Sequence, residues 1–478
     1  MVTHVGSEYA LNTAWLWLET CLQTHPSCSR PETPLLPTRV VDIEVVGGQG
    51  DDHVKLHISA PSERNGYAVL SYCWGGPQPV LLTTTNLADM VQGISLDRLP
   101  QTIQDAIKVT RRLGIRFLWI DALCIIQEGD DSDKLAEVNA MGQVYKNATI
   151  TIAAGSALAV SEGFLHTRAA PVSFPLPFYC GPEREMGAVQ LIWCADTSCD
   201  NMKPLNTRGW TLQEELLSRR VLAYGAREQV WRCQTEASKQ FPGSPLTSFQ
   251  GRAILPRDVF EAAQPFTPAA AHSLWSSVVN AYTSRQLSFR EDRLAAVAGV
   301  IAELKPLFQD ECTFGIWNKN FVRQLAWMRS DARSEGDEDV VSCAPAWSWA
   351  SRLFGTHFMS FEPVREDGWM VAPDNALVLT GLLRRGHDVP RSERGSWRFN
   401  WDIRSPELTE WQFVTDYRGK DVFYFLLGYE DGREYRKLSM VLVPDEQPQI
   451  FRRIGLVYNY LETTTFDAGE VSRVTLLP

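Results

Sequence analysis

The feature that most constrains this chain is the regular exchange of short apolar runs with amphipathic stripes between Tyr67 and Ala154. Tyr67-Ala68-Val69-Leu70-Ser71-Tyr72 ends in Cys73-Trp74-Gly75-Gly76-Pro77, the pattern of a buried strand that closes in a tight loop. Leu99-Pro100-Gln101 then opens a helix, because proline is tolerated in a first turn. Ile103, Ala106, Ile107, Thr110 and Leu113 share one face of it, and Gly114 supplies a left-handed stop. Phe117–Ile120 is apolar without alternation, as a strand covered on both faces is. A second helical stripe, Leu135, Val138, Met141 and Tyr145, leads into the apolar run Ala148–Ala154. Strand, helix, strand, helix, strand within about ninety residues specifies a parallel sheet with right-handed crossovers.

Outside this stretch the pattern changes character. The run 155–207 loses periodicity and carries Pro171, Pro175, Pro177 and Pro182, which reads as an insertion outside the sheet. Order resumes at Arg208-Gly209-Trp210, a helix start, and two short strands, Val221–Tyr224 and Gln229–Cys233, follow. Helical stripes occupy 272–307, and beyond about residue 340 short alternating runs such as Leu377–Leu383 point to a β-rich region. The expected organisation is a lead-in with one amphipathic helix (1–60), an α/β domain (61–235), a helical region (236–340) and a β-rich region (341–478). The fold class is α/β: a flavodoxin-like, parallel-centred sheet with helices on both faces.

Composition narrows the function classes. A formal charge of −11 without a Lys/Arg block argues against nucleic acid as a partner. Glu8, Asn12, Glu19 and Thr20 interrupt the first apolar stretch, so it does not read as a signal peptide, and a membrane-spanning run is not expected. The ten cysteines are scattered without a CxxC pair, which reads as reduced thiols in a cytoplasmic protein with neither disulfides nor a metal site.

Three polar clusters fall at the predicted C-terminal ends of strands, where open α/β sheets place ligands. They are Ser71-Tyr72-Cys73-Trp74, then Asp121 through Gln127, then Arg208-Gly209-Trp210 through Glu214-Glu215. Each also has a plainer reading. Ser71 and Tyr72 could only shape a turn, Asp121 could cap a helix, and glutamates in a first turn are favoured by the helix dipole. Cys124, between Leu123 and Ile125, reads as a small buried hydrophobe. Glu214, four residues after Trp210, should face the cleft, whereas Glu215, about 100° away around the helix, should not.

The ordered strings YAVLSYCWGG, LPQTIQDAIKVTRRLGIRFLWIDALCIIQ, MGQVYKNATITIAA and RGWTLQEELLSRRVL, with VWRC after them, resemble the fungal heterokaryon-incompatibility (HET) domain. AWLWLETCLQTHPSC before them, and WSSVVNAYTSRQLSFREDRLAAVAG and APAWSWAS after them, are similar to the usual flanks of that domain. The resemblance implies a role in nonself recognition and programmed cell death, or as an accessory of secondary metabolism. The HET domain is in turn similar to TIR domains, whose first strand ends in a Ser-Tyr pair, matched by Ser71-Tyr72. Their Trp-Cys-x-x-Glu motif is echoed by Trp210-Thr211-Leu212-Gln213-Glu214, with Thr211 in place of cysteine.

That similarity implies Glu214 as the group central to cleaving NAD at its nicotinamide–ribose bond, with Asp121 as a second catalytic candidate. Ser71, Tyr72, Trp74, Gln127, Arg208 and Trp210 are the candidates for substrate binding. NAD would be a substrate, no bound cofactor or metal is called for, and a protein partner or self-association would supply the trigger. A biosynthetic enzyme or accessory protein acting on an apolar small molecule, or a non-catalytic interaction module, are the alternatives.

Overall fold

In the computed structural model the residues described are 4–28, 33–44, 52–168, 173–180, 185–192, 203–226, 228–235, 265–330, 341–388, 397–401, 416–417, 420–430, 433–447, 449–459 and 470–477. The chain divides into two compact units, Met1–Glu261 and Ala262–Pro478. Among the described residues no helix is long and apolar enough to cross a membrane.

The first unit is built on one mixed sheet. Its strands are β1 (Arg39–Asp42), β2 (His53–Ile58), β3 (Tyr67–Ser71), β4 (Ile94–Ser95), β5 (Phe117–Trp119), β6 (Ile150–Ala153), β9 (Arg220–Tyr224) and β10 (Gln229–Cys233), ordered β10-β9-β6-β3-β5-β1-β2-β4. The four central strands β5, β3, β6 and β9 are parallel, and the remaining pairs are antiparallel. Every residue of β3, β5 and β6 is buried, which accounts for runs that are apolar without alternation. Two strands from the lead-in, β1 and β2, extend this sheet on the β5 side.

The chain enters the parallel core at β3, steps to β5 on one side, then crosses back to β6 and β9 on the other. With right-handed crossovers this reversal puts successive helices on opposite faces. Helix α3 (Gln101–Arg112) packs with α1 (Glu8–Thr24), and α5 (Asp131–Asn147) packs with α7 (Trp210–Leu217). Two hydroxyls lock α5 onto the sheet: Tyr67 donates to the Val144 carbonyl at 2.8 Å and Tyr145 to the Leu70 carbonyl at 3.2 Å. Trp119 meets the Tyr145 ring edge-on, with centroids 5.9 Å apart.

No strand of this sheet lies between 155 and 207 among the described residues; that segment carries its own hairpin, β7 (Ser173–Cys180) with β8 (Glu185–Ile192). Its beginning is nonetheless fastened to α3. The Asp105 carboxylate accepts the backbone N–H groups of Phe164 at 2.7 Å and Leu165 at 3.0 Å.

In the second unit α8 (Pro268–Thr283) and α9 (Ala295–Phe308) pack on each other, and Trp275 meets Trp317 and Trp349 edge-on. Tryptophan serves there as core filler; Trp275, Trp317, Trp327, Trp347 and Trp349 are all fully buried. The β-rich region closes on itself. Strands β17 (Leu377–Arg385), β21 (Phe423–Glu430), β22 (Arg433–Pro444), β23 (Ile450–Asn459) and β24 (Glu470–Leu476) pair in sequence, and β17 pairs β21 to complete the ring.

Asp105→Ala leaves two buried N–H groups without their acceptor, so it is expected to cost about 2–3 kcal/mol. Urea unfolding monitored by tryptophan fluorescence checks this; a loss under about 0.5 kcal/mol would mean that the 160–165 loop does not depend on the carboxylate.

Candidate functional site

The polar clusters converge at the C-terminal ends of β3 and β5. The chain leaves β3 through Tyr72-Cys73-Trp74 into Gly75, whose φ of +69° lies in the left-handed region. A Cβ at Gly75 would also stand 2.4 Å from the Ala159 backbone, so glycine is required twice, by conformation and by close approach. This turn carries the Trp74 indole N–H to the Asp121 carboxylate at 2.9 Å. The Tyr72 phenol is buried, and its proton is held well above the usual tyrosine range by burial and by the adjacent Asp121 charge.

Asp121 is the first residue of α4 (Asp121–Cys124); the N-cap is Ile120, so the aspartate does not cap this turn. Its carboxylate accepts Trp74 and the Ala122 N–H at 2.7 Å. Burial raises its affinity for a proton, against the opposing Arg208 charge and the Trp74 and Tyr72 hydrogen bonds. Cys124 is completely buried, accepts the Ile120 N–H on sulfur at 3.4 Å, and is pushed up to about 12 by desolvation. That is an inert, structural thiol. Its carbonyl accepts Arg39 Nε at 2.7 Å, which ties β1 to this loop.

The second carboxylate comes from α7. Glu214 is 6% exposed, and Ser71 Oγ donates to it from the last residue of β3. The Tyr145 phenol is its second hydrogen-bond partner. Burial raises the Glu214 pKa from 4.5 to about 7, opposed by the Arg208 charge and by both hydroxyls, while the Asp121 charge pushes it further up. Glu215 pairs with Arg232 at 3.2 Å, and it is this pair, not Glu214, that lines the neighbouring cleft, against the expectation from helix geometry. Arg208, just before α7, donates to the Tyr72 carbonyl, which sets one guanidinium beside the buried Glu214 and the half-buried Asp121.

The structure thus brings Ser71, Tyr72, Trp74, Asp121, Arg208 and Glu214 together. Gln127 places its amide nitrogen on the Asp121 and Ile125 carbonyls, at 3.1 and 3.3 Å, and so braces the loop after β5. Trp210 is half-buried at the first position of α7. Tyr145 is the member that sequence reasoning missed, because it falls on an apolar stripe and its hydroxyl gives no periodic signal.

Beside this cluster lies a small cleft of about 30 Å³, lined by Ser71, Ala153, Leu205 and Val230 and by the charged pair Glu215 and Arg232. Its floor is the sheet surface shared by β3, β6, β9 and β10. The cleft offers an apolar wall, and beside it stand one cation, Arg208, and two carboxylates whose proton affinity burial raises, a set that suits a ligand carrying hydroxyls and negative charge.

Residues 67–214 match the family model for heterokaryon incompatibility protein (HET). The match runs from the first residue of β3 to Glu214. No curated protein and no solved structure matches the chain.

Between the unfolded value near 4.5 and the folded value of about 7, the folded state holds the Glu214 proton and the unfolded chain does not. Stability therefore falls as pH rises through that window and is flat above it. Glu214→Gln removes this slope. At about pH 8 the variant is expected to be more stable than wild type by up to roughly 3 kcal/mol, with the gap closing as pH falls below the window. Thermal melts of both proteins across the window decide the point, and parallel curves would show that the carboxyl is not held near neutrality.

Proposed function

We propose that this chain, which carries a HET domain over residues 67–214, is a cytoplasmic effector of nonself recognition and programmed cell death that binds and hydrolyses NAD in a TIR-like cleft. The observation that carries the reading is the buried Glu214 carboxylate, held by Ser71 at the C-terminal end of the central strand and poised near neutrality.

Hydrolysis breaks the bond between ribose C1′ and the nicotinamide nitrogen. The bonding pair leaves with nicotinamide, which departs neutral and needs no general acid. Water adds to C1′ and loses a proton, giving ADP-ribose, nicotinamide and H⁺. The protein's task is to stabilise the positive charge that develops on the ribose, which a carboxylate in a water-poor site does strongly. In this reading Glu214 takes that role and holds ribose hydroxyls. Asp121, bonded to Trp74, is the second acceptor in this cluster. Arg208 supplies positive charge for a diphosphate, and the Trp74 and Trp210 rings offer stacking surfaces. A partner as trigger fits the hairpin β7–β8, which exposes Phe174, Leu176, Phe178 and Val189 along one face by strand alternation.

A second reading draws on the other unit. Val322, Leu325, Leu379, Phe425, Leu427 and Val471 line an open cavity of about 260 Å³ there, which favours an apolar small molecule and a place in secondary metabolism.

Incubation of the purified chain with NAD, with separation of nicotinamide and ADP-ribose, tests the first reading. Glu214→Gln is expected to lower turnover by at least about a hundredfold, the scale for losing one charge-stabilising group, while Glu215→Gln is nearly silent. Because the reaction needs the ionised carboxylate, turnover should rise as pH increases through about 7. Equal turnover in wild type and Glu214→Gln, or its absence from both, would move the small-molecule reading ahead.

A further inference from the structure

We infer that Cys21, His25, Cys28 and Cys233 form a structural zinc site that fastens the end of α1 to the end of β10, an inference independent of the catalytic reading. Cys21 lies in the last turn of α1. His25 is the C-cap, its N–H on the Cys21 carbonyl at 3.3 Å, and the turn Pro26–Cys28 follows, with the Cys28 N–H on the His25 carbonyl at 3.0 Å. A Cys-x₃-His-x₂-Cys run folded this way presents three donors to one point. Cys233, the last residue of β10, supplies the fourth.

The four donor atoms all lie within 4.8 Å of one another. A tetrahedral zinc with ordinary bond lengths places two sulfurs about 3.8 Å apart, and sulfur and nitrogen about 3.5 Å apart. His25 Nδ1 and Cys233 Sγ are 3.5 Å apart. Cys21 and Cys28 are fully buried and Cys233 nearly so, so the three sulfurs are shielded from solvent. Three thiolates and one imidazole select zinc over hard cations, and four protein ligands fill the tetrahedron, the arrangement of a structural rather than a catalytic centre.

Arg220 gives a second, independent indication. It is 3% exposed, yet its partners are Cys21 Sγ at 3.2 Å and the carbonyls of Thr149 and Cys28 at 3.2 and 2.5 Å. Among the described residues no carboxylate forms an ion pair with it. A buried guanidinium needs a compensating negative charge. Zn²⁺ with three thiolates carries a net −1, and Arg220 Nε donates to one of those sulfurs, as an outer-sphere partner that orients and tunes a ligand does.

This revises the sequence expectation of scattered thiols and no metal. A search for CxxC pairs passes over a run whose middle ligand is histidine and whose remaining ligand lies 208 residues from that histidine.

The test uses the full chain, without a metal-binding tag, purified under reducing conditions free of chelators and analysed by plasma mass spectrometry. We expect about one zinc per chain, a drop of about tenfold or more in Cys21→Ser and in Cys233→Ser, and full content in Cys312→Ser. Should the first two variants fail to fold, cobalt substitution of the wild-type chain decides. Intense visible bands of tetrahedral thiolate cobalt support the site, and the weak spectrum of octahedral cobalt overturns it. Less than about 0.1 zinc per chain after incubation with equimolar zinc chloride also overturns it, as does undiminished zinc in a Cys21→Ser, Cys233→Ser double variant, or a disulfide among the three cysteines in the freshly reduced protein.

Discussion

The first unit depends on one costly arrangement: two carboxylates, Glu214 buried and Asp121 half-buried, at the C-terminal edge of a sheet with the guanidinium of Arg208 beside them. Desolvation is the largest influence on both acids, and it exceeds what Arg208 and the hydroxyls return. A fold selected for stability alone would replace such a group with an apolar one, since burying charge is unfavourable unless the pairing is very good. The arrangement stands where open α/β sheets carry ligands, and perturbed carboxylates of this kind cluster at functional sites.

The sheet makes the arrangement affordable by rigidity. β3 lies at the centre, buried along its length and paired on both sides. Its last residue, Ser71, therefore has little freedom, and neither does the hydroxyl it presents to Glu214. Tyr145 is equally fixed, with its ring against Trp119 and its hydroxyl at the Leu70 carbonyl and near Glu214. Donors that cannot reorient stabilise charge without a reorganisation cost at the moment of reaction.

How much of this was legible in the sequence follows from the kind of signal each part sends. β3, α3, β5 and β6 were readable because burial on both faces of a strand and on one face of a helix imposes periods that local sequence must obey, whereas the stripe expected on α5 holds only at Met141 and Tyr145, since Leu135 is exposed and Glu137 is buried instead. The placement of Ser71, Asp121 and Glu214 near one another followed from the rule that parallel strands point their C-terminal ends the same way. Three things were not legible. β1 and β2 extend the sheet from a stretch whose pairing partners are distant, and β-pairing leaves no local trace of the partner. Tyr145 uses its ring as core and its hydroxyl as a ligand, and periodicity reports only the ring. The Cys21, His25, Cys28 and Cys233 cluster depends on bringing together the two ends of the unit, which a scan of neighbouring residues cannot see.

That cluster and the carboxylate site share the segment from Arg208 to Cys233. At its start, Arg208 is bonded to the Tyr72 carbonyl. After α7, Ser218 donates to the Glu214 carbonyl at 2.5 Å and meets Thr151 of β6 at 2.6 Å. Two residues on, Arg220 opens β9 and reaches Cys21 and Cys28. α7 is thus anchored before its first residue by the loop after β3, and after its last by β6 and the thiol cluster. Glu214 sits between the two anchors. A change at the cluster would loosen the second anchor first, reaching the carboxylate through Ser218 and the cleft through β9, whose Val221 and Ala223 line it.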